Sequence, residues 1–265
     1  MKQFFLTGFY AITIGCALFG LQISQGNAQV PANEIKNPVS AAKKSFVLLE
    51  LYTSEGCPTC PPADANLARL ESEQPFTETE IVTLALHVDY WNSVTWKDKY
   101  SSPIFSRRQQ LYTHALKTYS NFTPQMFVDG RTQLIGSDMS KARKAITEAT
   151  KIQKAAVEIV PTADKFKVEI TGVPIHENAT VFLAVAEDNL ASGVRGSGNS
   201  VIKPAHVSVV RELKSVGMLT AEQSSLEIEF VLQIQSDWKK ENLKLIVFVQ
   251  ENLSRRVLGV SRIKI

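Results

Sequence analysis

The sequence predicts a mixed α/β protein in two parts, an α/β domain over residues 46–155 and a smaller all-β, sandwich-like domain over residues 156–265. Three observations lead to this prediction. Apolar runs typical of buried strands alternate with helical segments up to about residue 155. Beyond that point, shorter runs alternate apolar with polar residues and are separated by turn residues. Between the first predicted strand and the first predicted helix stand Cys57 and Cys60, with two residues between them.

In the first part, the sequence predicts the order strand, helix, strand, helix, hairpin, helix. Two near-continuous apolar runs, at 46–52 and 81–88, indicate strands that are buried on both faces and form a parallel pair with a right-handed crossover. Asp129 and Gly130 mark the turn of a hairpin. Capping residues, prolines and apolar spacing place the other elements: helices at 61–70, 101–118 and 139–155, and hairpin strands near 125–128 and 131–136.

In the second part, the sequence predicts mainly strands, at 157–160, 166–170, 180–186, 226–232, 243–249 and 257–265. Segment 207–217 fits either a strand or a helix, and both alternatives stay open. Segment 192–199 is rich in glycine and serine, but it has neither the Lys-Ser/Thr ending nor the strand-to-helix context of a phosphate loop. We expect it to be a surface loop.

Composition and charge exclude some classes of partner. The chain is 44% hydrophobic and 21% charged, which is ordinary for a globular protein, and its net charge is +3. This charge is too small to imply nucleic acid as a partner, and the sequence has no block of like charges.

The first 28 residues resemble a targeting segment. Lys2 is their single charged residue, an apolar run follows from Phe4 to Leu21, and small residues end the segment at Ala28. We expect a cleaved signal peptide at 1–28 and a flexible lead-in at 29–45, and therefore a periplasmic or secreted protein. Two alternatives are a membrane anchor that is retained and a lipid attached to Cys16. Contact with a membrane is expected only through this segment, if it is not cleaved.

Cleavage after Ala28 would leave Cys57 and Cys60 as the only cysteines. A disulfide across so short a loop constrains little chain entropy, so the pair is there for reactivity or for a metal. In a redox site at a strand-to-helix turn, Cys57 would attack as a thiolate and Cys60 would resolve the mixed disulfide. We expect Cys57 at the helix start, where the free N–H groups favour an anion, although Pro61 and Pro62 conflict with that position.

Other residues are candidates for supporting this chemistry. Glu50, in the first strand, is either a carboxylate at the solvent rim or a semi-buried proton relay to Cys60. Pro124, at the start of the hairpin, is either trans or a cis-proline that exposes the backbone of Thr123 to a substrate strand. Trp91 lies in a polar and aromatic loop, 89–98, at the carboxyl end of the second strand, where ligands bind in open α/β sheets. We expect Thr123 and Trp91 to contact the substrate.

Histidine offers an alternative chemistry. His87, with Cys57 and Cys60, could form a thiolate and imidazole site for copper or zinc. The interpretation that we favour is that His87 hydrogen-bonds locally and packs on Trp91. We therefore expect the chain to hold no metal or other cofactor. The other three histidines have no partners at metal-ligand spacing and are expected at the surface: His114, His176 and His206.

The element order with a Cys-x-x-Cys pair and a Thr-Pro strand resembles the thioredoxin fold. More narrowly, the chain resembles an exported bacterial thioredoxin-like family catalogued as domain-of-unknown-function family twelve twenty-three. The stretches that carry this resemblance are Gly56-Cys57-Pro58-Thr59-Cys60-Pro61-Pro62-Ala63-Asp64, His87-Val88-Asp89-Tyr90-Trp91, Trp96-Lys97-Asp98, Thr123-Pro124-Gln125-Met126 and Val128-Asp129-Gly130.

The resemblance implies a thioredoxin-like fold with a cis Thr123-Pro124 bond, but no settled activity. The chain also departs from ordinary thioredoxins. Gly56 stands where they have a tryptophan, and Glu50 is one residue further from Cys57 than their buried aspartate.

Three functions are therefore open. The first is a thiol–disulfide oxidoreductase that acts on protein or small-molecule dithiols, of unspecified redox direction. The second is a copper- or zinc-binding protein or metallochaperone. The third is a non-catalytic interaction module whose cysteines form a structural disulfide.

Overall fold

A mixed sheet of eight strands is the largest element of the protein. The computed structural model describes residues 44–191 and 205–265. The predicted signal peptide, all but the end of the lead-in, Cys16 and the glycine-rich segment 192–199 lie outside the described residues. Within them, no helix is long and apolar enough to cross a membrane.

The first part of the chain forms the predicted elements in the predicted order. They are β1 (Ser45–Thr53), α1 (Pro61–Glu73), β2 (Thr79–His87), α2 (Pro103–Ala115), β3 (Gln125–Val128), β4 (Thr132–Ile135) and α3 (Met139–Thr150).

The second part consists of strands and one short 3-10 helix, Lys240–Asn242. Segment 207–217, which the sequence left open, lies mostly in a strand. The strands are β5 (Ala156–Pro161), β6 (Phe166–Thr171), β7 (Ala179–Glu187), β8 (Leu190–Ala191), β9 (Ala205–His206), β10 (Val209–Leu219), β11 (Leu226–Phe230), β12 (Leu243–Glu251) and β13 (Val257–Lys264).

The large sheet has the strand order β13-β12-β7-β10-β2-β1-β3-β4, so it contains strands from both predicted parts. β1 and β2 are parallel, and β3 runs antiparallel to β1. β10 joins β2 through one parallel pair, Val209 with Ala85, and the amide of Ala85 donates to the carbonyl of Ser208 at 2.8 Å. Strands from both sides of the predicted boundary at residue 155 therefore share one continuous sheet.

The burial of β1 explains its apolar sequence. Val47, Leu49 and Leu51 face α1 and α3 on one side of the sheet, and Leu48 and Tyr52 face α2 on the other. Side chains of a strand alternate between faces, so helices on both sides require apolar residues at nearly every position. In the second part, a separate three-stranded sheet, β11-β6-β5, packs its apolar side chains on those of β7 and β12.

Glu50 fits neither reading that the sequence allowed. It is buried on the face of β1 that packs on α2, away from α1 and the cysteines. Its carboxylate accepts from Arg108 Nε at 2.7 Å and Nη2 at 3.2 Å, and from the hydroxyl of Tyr112. Burial alone would lower the pKa of Arg108, but the charge of Glu50 raises it above its ordinary value. Glu50 is thus a structural ion-pair partner, and its contacts give no support to the predicted proton relay to Cys60.

We expect Glu50→Gln to lower the free energy of unfolding by about 3–5 kcal/mol, because it leaves the Arg108 charge buried without an anion. Urea denaturation measures this change. The matched control is Glu73→Gln, which breaks an exposed pair with Arg69 and should cost less than about 1 kcal/mol. Equal losses in the two variants would contradict the structural role of Glu50.

Candidate functional site

Cys57 and Cys60 form a disulfide in the turn that follows β1, with their Cα atoms 5.4 Å apart. The expected position of Cys57 at the helix start is wrong. Helix α1 begins at Pro61, and Cys60 is its N-cap residue. The carbonyl of Cys60 accepts from the amides of Ala63 and Asp64, at 2.8 and 3.1 Å. The prolines thus occupy the first two helical positions, whose N–H groups would have no partner within the helix, so they do not disturb α1.

The two cysteines differ little in exposure. Cys57 is 3% exposed and Cys60 is fully buried. The hydroxyl of Thr59 lies 3.5 Å from Cys57 Sγ and also donates to the carbonyl of Thr123 at 3.5 Å. The turn is thus connected to the chain segment that enters β3.

That segment contains the predicted proline. The Thr123-Pro124 peptide bond is cis, as the resemblance implied. Thr123 Oγ1 accepts from the indole N–H of Trp91 at 2.7 Å. Thr123 therefore contacts both the cysteine turn and the 89–98 loop, and the structure brings together Cys57, Cys60, Thr123 and Trp91 as the sequence predicted.

The 89–98 loop explains the glycine that replaces the usual tryptophan before the first cysteine. A Cβ atom on Gly56 would lie 2.8 Å from the ring of Trp96, so the ring occupies the space that a side chain would need. Trp91 and Trp96 remain 38% and 36% exposed, and Val94 at the tip of the loop is fully exposed. The cysteine turn is therefore bordered by apolar surface that is open to solvent.

Asp98 holds the cysteine turn and the loop together. Its buried carboxylate accepts from the Glu55 amide at 2.8 Å, from the Ser54 hydroxyl at 3.3 Å and from His87 Nδ1 at 2.7 Å. The Tyr100 amide donates to its other oxygen at 3.0 Å. Burial favours a higher pKa for this carboxyl, but the hydrogen bond from His87 and the other donors lower it below the ordinary value. Sequence reasoning missed this role, although Asp98 stood in one of the stretches that carried the family resemblance.

His87 hydrogen-bonds locally, as we favoured, but it does so with Asp98. The rings packed on it are those of Tyr100 and His206, at centroid distances of 5.4 and 5.3 Å, and not the expected Trp91. In the described ranges, no group of three or more His, Cys, Asp or Glu side chains is arranged to hold a metal ion. The metal alternative with Cys57, Cys60 and His87 thus finds no support in the geometry.

Two of the histidines expected at the surface are buried, which corrects that prediction; His114 is exposed as expected. His176 hydrogen-bonds to two backbone carbonyls. His206, in β9, lies with its Nε2 3.5 Å from Glu55 Oε1. The second part of the chain thus contributes a side chain to the surroundings of the cysteine turn. His206 is close to the turn because β10, which begins three residues after it, pairs with β2.

Asp64 is a second residue that sequence reasoning missed. It stands one turn after Cys60 in α1 and accepts from the Thr53 hydroxyl at 2.9 Å. Burial raises the pKa of its carboxyl, and the hydrogen bond from Thr53 only partly opposes this. Helical side chains tilt toward the N-terminus of their helix, which directs this carboxyl toward the turn of Cys60. A partly buried carboxyl with a raised pKa, one helical turn after Cys60, is suited to exchanging a proton.

We expect Asp98→Asn to destabilise the protein by about 1–3 kcal/mol near neutral pH, because it weakens four buried hydrogen bonds that a charged acceptor now receives. The lowered pKa means that this contribution is present above the ordinary Asp value and is lost as the pH falls through the folded-state value. Urea denaturation at several pH values tests this. The exposed Asp237→Asn is the control, and an equal, pH-independent loss in both variants would contradict the role of Asp98.

The chain is similar to several known proteins. The family model described as "Protein of unknown function (DUF1223)" matches residues 48–250. No curated protein matches the chain. Among solved structures, protein AGR_C_4864 from Agrobacterium tumefaciens is similar at 25% identity and a TM-score of 0.69, with 84% of this chain and 96% of that chain covered.

HBP35 of Porphyromonas gingivalis is similar at 15% identity and a TM-score of 0.55, with 84% of this chain and 76% of that chain covered. At this identity the likeness concerns the fold alone. The family model covers well over half of the sequence, and the chain therefore belongs to the DUF1223 family of proteins of unknown function.

Proposed function

We propose that this protein is an exported, thioredoxin-like thiol–disulfide oxidoreductase with Cys57 and Cys60 as its redox pair. The observation that carries the proposal is the disulfide at the start of α1, joined through Thr59 to the cis Thr123-Pro124 segment. The sheet order β2-β1-β3-β4, with α1 and α3 on one face and α2 on the other, supports a thioredoxin-like arrangement. The apolar segment at residues 4–21 supports export to the periplasm or beyond the cell.

The reaction is an exchange of disulfides. In the reduced protein, the Cys57 thiolate attacks a sulfur of the substrate disulfide, forms a mixed disulfide and releases one substrate thiolate. The Cys60 thiolate then attacks Cys57 Sγ, which releases the second substrate thiolate and forms the Cys57–Cys60 disulfide. Two electrons pass from the protein to the substrate, and a dithiol substrate reverses both steps. We assign the attack to Cys57, which is 3% exposed, and the resolving step to Cys60, which is fully buried and caps α1.

Neighbouring groups support each step. The Thr59 hydroxyl, 3.5 Å from Cys57 Sγ, can donate to the thiolate and so favour the reactive form. Asp64 accepts the Cys60 proton when Cys60 attacks and returns it when the disulfide is reduced. Thr123 is bonded to Thr59 of the cysteine turn and to Trp91 of the 89–98 loop, which places Thr123 and Trp91 to contact the substrate.

A specific observation favours a second candidate, a non-catalytic module with a structural disulfide. Both cysteines are nearly inaccessible, and buried disulfides are slow to exchange. The two candidates differ in one measurable property. A redox site equilibrates with a glutathione or dithiothreitol buffer, whereas a structural disulfide resists reduction until the protein unfolds.

The deciding experiment follows transfer of electrons from the reduced protein to a fluorescence-quenched peptide disulfide. We expect wild type to react, Cys57→Ser to lose at least a hundredfold in rate, and Cys60→Ser to accumulate a mixed disulfide through Cys57. Ser72→Ala, on the exposed side of α1, is the control and should match wild type. A Cys57→Ser variant as fast as wild type would exclude the redox function, and failure of the folded wild type to react would favour the structural disulfide.

The raised pKa of Asp64 predicts that its contribution to the free energy of unfolding depends on pH. Because the folded state favours the protonated carboxyl, its stabilising contribution is complete below the ordinary Asp pKa and is lost as the pH rises through the raised value. The difference in unfolding free energy, wild type minus Asp64→Asn, should therefore fall over that range and then level off.

Urea denaturation across this pH range measures the difference. Asp164→Asn, in an exposed turn, is the matched control and should show no comparable slope. A difference for Asp64→Asn that rises with pH would show that the folded state favours the ionised carboxyl instead, and it would remove Asp64 as the proton-exchanging group.

A further inference from the structure

A groove of about 500 Å³ lies between α2 and β10. We call it the α2–β10 groove, and it is lined by residues of α2 between 104 and 114, by residues 213–215 of β10, and by Phe182 and Arg255. None of the residues of the cysteine site lines it. Its volume is in the range of about 300–1,000 Å³ that is typical of small-molecule sites.

One side of the groove is apolar. Ile104 and Leu111 stand seven residues apart on α2, which places them on the same face of the helix, and they are 50% and 47% exposed. Leu213 of β10 and Phe182 of β7 are partly buried against the core and complete the apolar lining. The groove therefore has an elongated apolar strip that no other part of the described chain covers.

The charged residues that line the groove are all basic. No Asp or Glu lines the groove, and its basic residues are Arg107, Arg108, His114, Lys214 and Arg255. Arg108 is paired with Glu50, and Lys214 with Glu212. Among the described residues, no carboxylate lies within 4 Å ion-pair distance of Arg107, His114 or Arg255.

Arg255 is held at the groove by its backbone. It has a φ of 64°, in the left-handed region, and its carbonyl accepts from Gln250 Nε2 at 2.7 Å. The same carbonyl packs so closely on Gly130 that a Cβ atom there would lie 1.9 Å from it. Burial, and then the nearby charge of Arg108, lower the pKa of Arg255. An anion in the groove would relieve this repulsion between two guanidinium groups.

We propose that the α2–β10 groove binds an anionic amphiphile, a carboxylate carried on a long, unbranched hydrocarbon chain. Guanidinium groups bind carboxylates through paired, charge-assisted hydrogen bonds, which assigns the head group to Arg107 and Arg255. The hydrocarbon chain lies along Ile104, Leu111 and Leu213, where it removes half-exposed apolar side chains from water. This function goes beyond the redox chemistry and does not depend on it.

Isothermal titration with sodium dodecanoate, below its micelle concentration, tests the proposal on the purified protein. We expect saturable binding of one molecule, weakened at least tenfold in Arg255→Gln and in Arg107→Gln. Lys144→Gln, which removes an exposed charge on α3, is the matched control and should bind as wild type does. Acetate, which lacks the chain, and dodecyl maltoside, which lacks the charge, should each bind at least tenfold more weakly than dodecanoate.

Cys57→Ser should bind dodecanoate as wild type does, which separates this site from the redox pair. Circular dichroism confirms that each variant is folded, and Arg107 is exposed enough for its replacement to spare the fold. Absence of saturable dodecanoate binding to wild type would overturn the proposal. Equal affinity in Arg107→Gln, Arg255→Gln and Lys144→Gln, or equal affinity for the uncharged maltoside, would also overturn it, because either result means that no carboxylate is recognised.

Discussion

The buried pair of Glu50 and Arg108 is the interaction on which most of the structure depends. It joins β1 to α2, and the guanidinium also lies over the rings of Phe182 and Phe248, at 4.9 and 5.2 Å, in β7 and β12. Because a charge in the core must keep its partner, the pair constrains how α2 packs on β1 and on these strands of the second part. It also places Arg108 beside the α2–β10 groove.

A second constraint acts at the carboxyl ends of the parallel strands. The register of β1 and β2 sets Thr53 opposite His87, so the turn after β1 and the loop after β2 begin side by side. Asp98 joins them by accepting from Ser54, Glu55 and His87, while Thr53 donates to Asp64 in α1. The disulfide thus lies in a turn that several elements hold by hydrogen bonds, and such a network orients the cysteines more firmly than the turn itself could.

The family assignment and the fold agree with each other, and neither names a substrate. The family model carries no activity, and the similar solved structures support the fold. A fold alone does not determine function, so the chemistry of this protein depends on the residues of the cysteine turn. The exposed aromatic loop beside Cys57 and the basic, apolar groove at α2 offer separate surfaces on which a substrate and a ligand could be recognised.

The sequence alone was sufficient for the elements of the first part, for the cysteine pair and for the Thr-Pro segment, because these depend on local periodicity, capping and turn residues. It also indicated the apolar character of β1, which follows from burial on both faces. The tertiary structure alone decided which side chains surround the cysteines. Asp98 and His206 are 41 and 149 positions from Cys57 in the numbering, and only the sheet register brings them to the turn.

The same reason explains why the sequence offered Glu50 as a carboxylate near the cysteines, although it lies on the face of β1 that packs on α2. Glu50 lies on the face of β1 that α2 covers, whereas α1 covers the opposite face. The alternation of side chains along a strand can be predicted from the sequence, but the face that each helix covers cannot. The join between the two predicted parts likewise depends on distant residues, since the single pair of Val209 with Ala85 extends one sheet through both parts. The cysteine pair could thus be predicted from residue types. The side chains that surround it could not, because contacts between residues that are distant in the chain decide them.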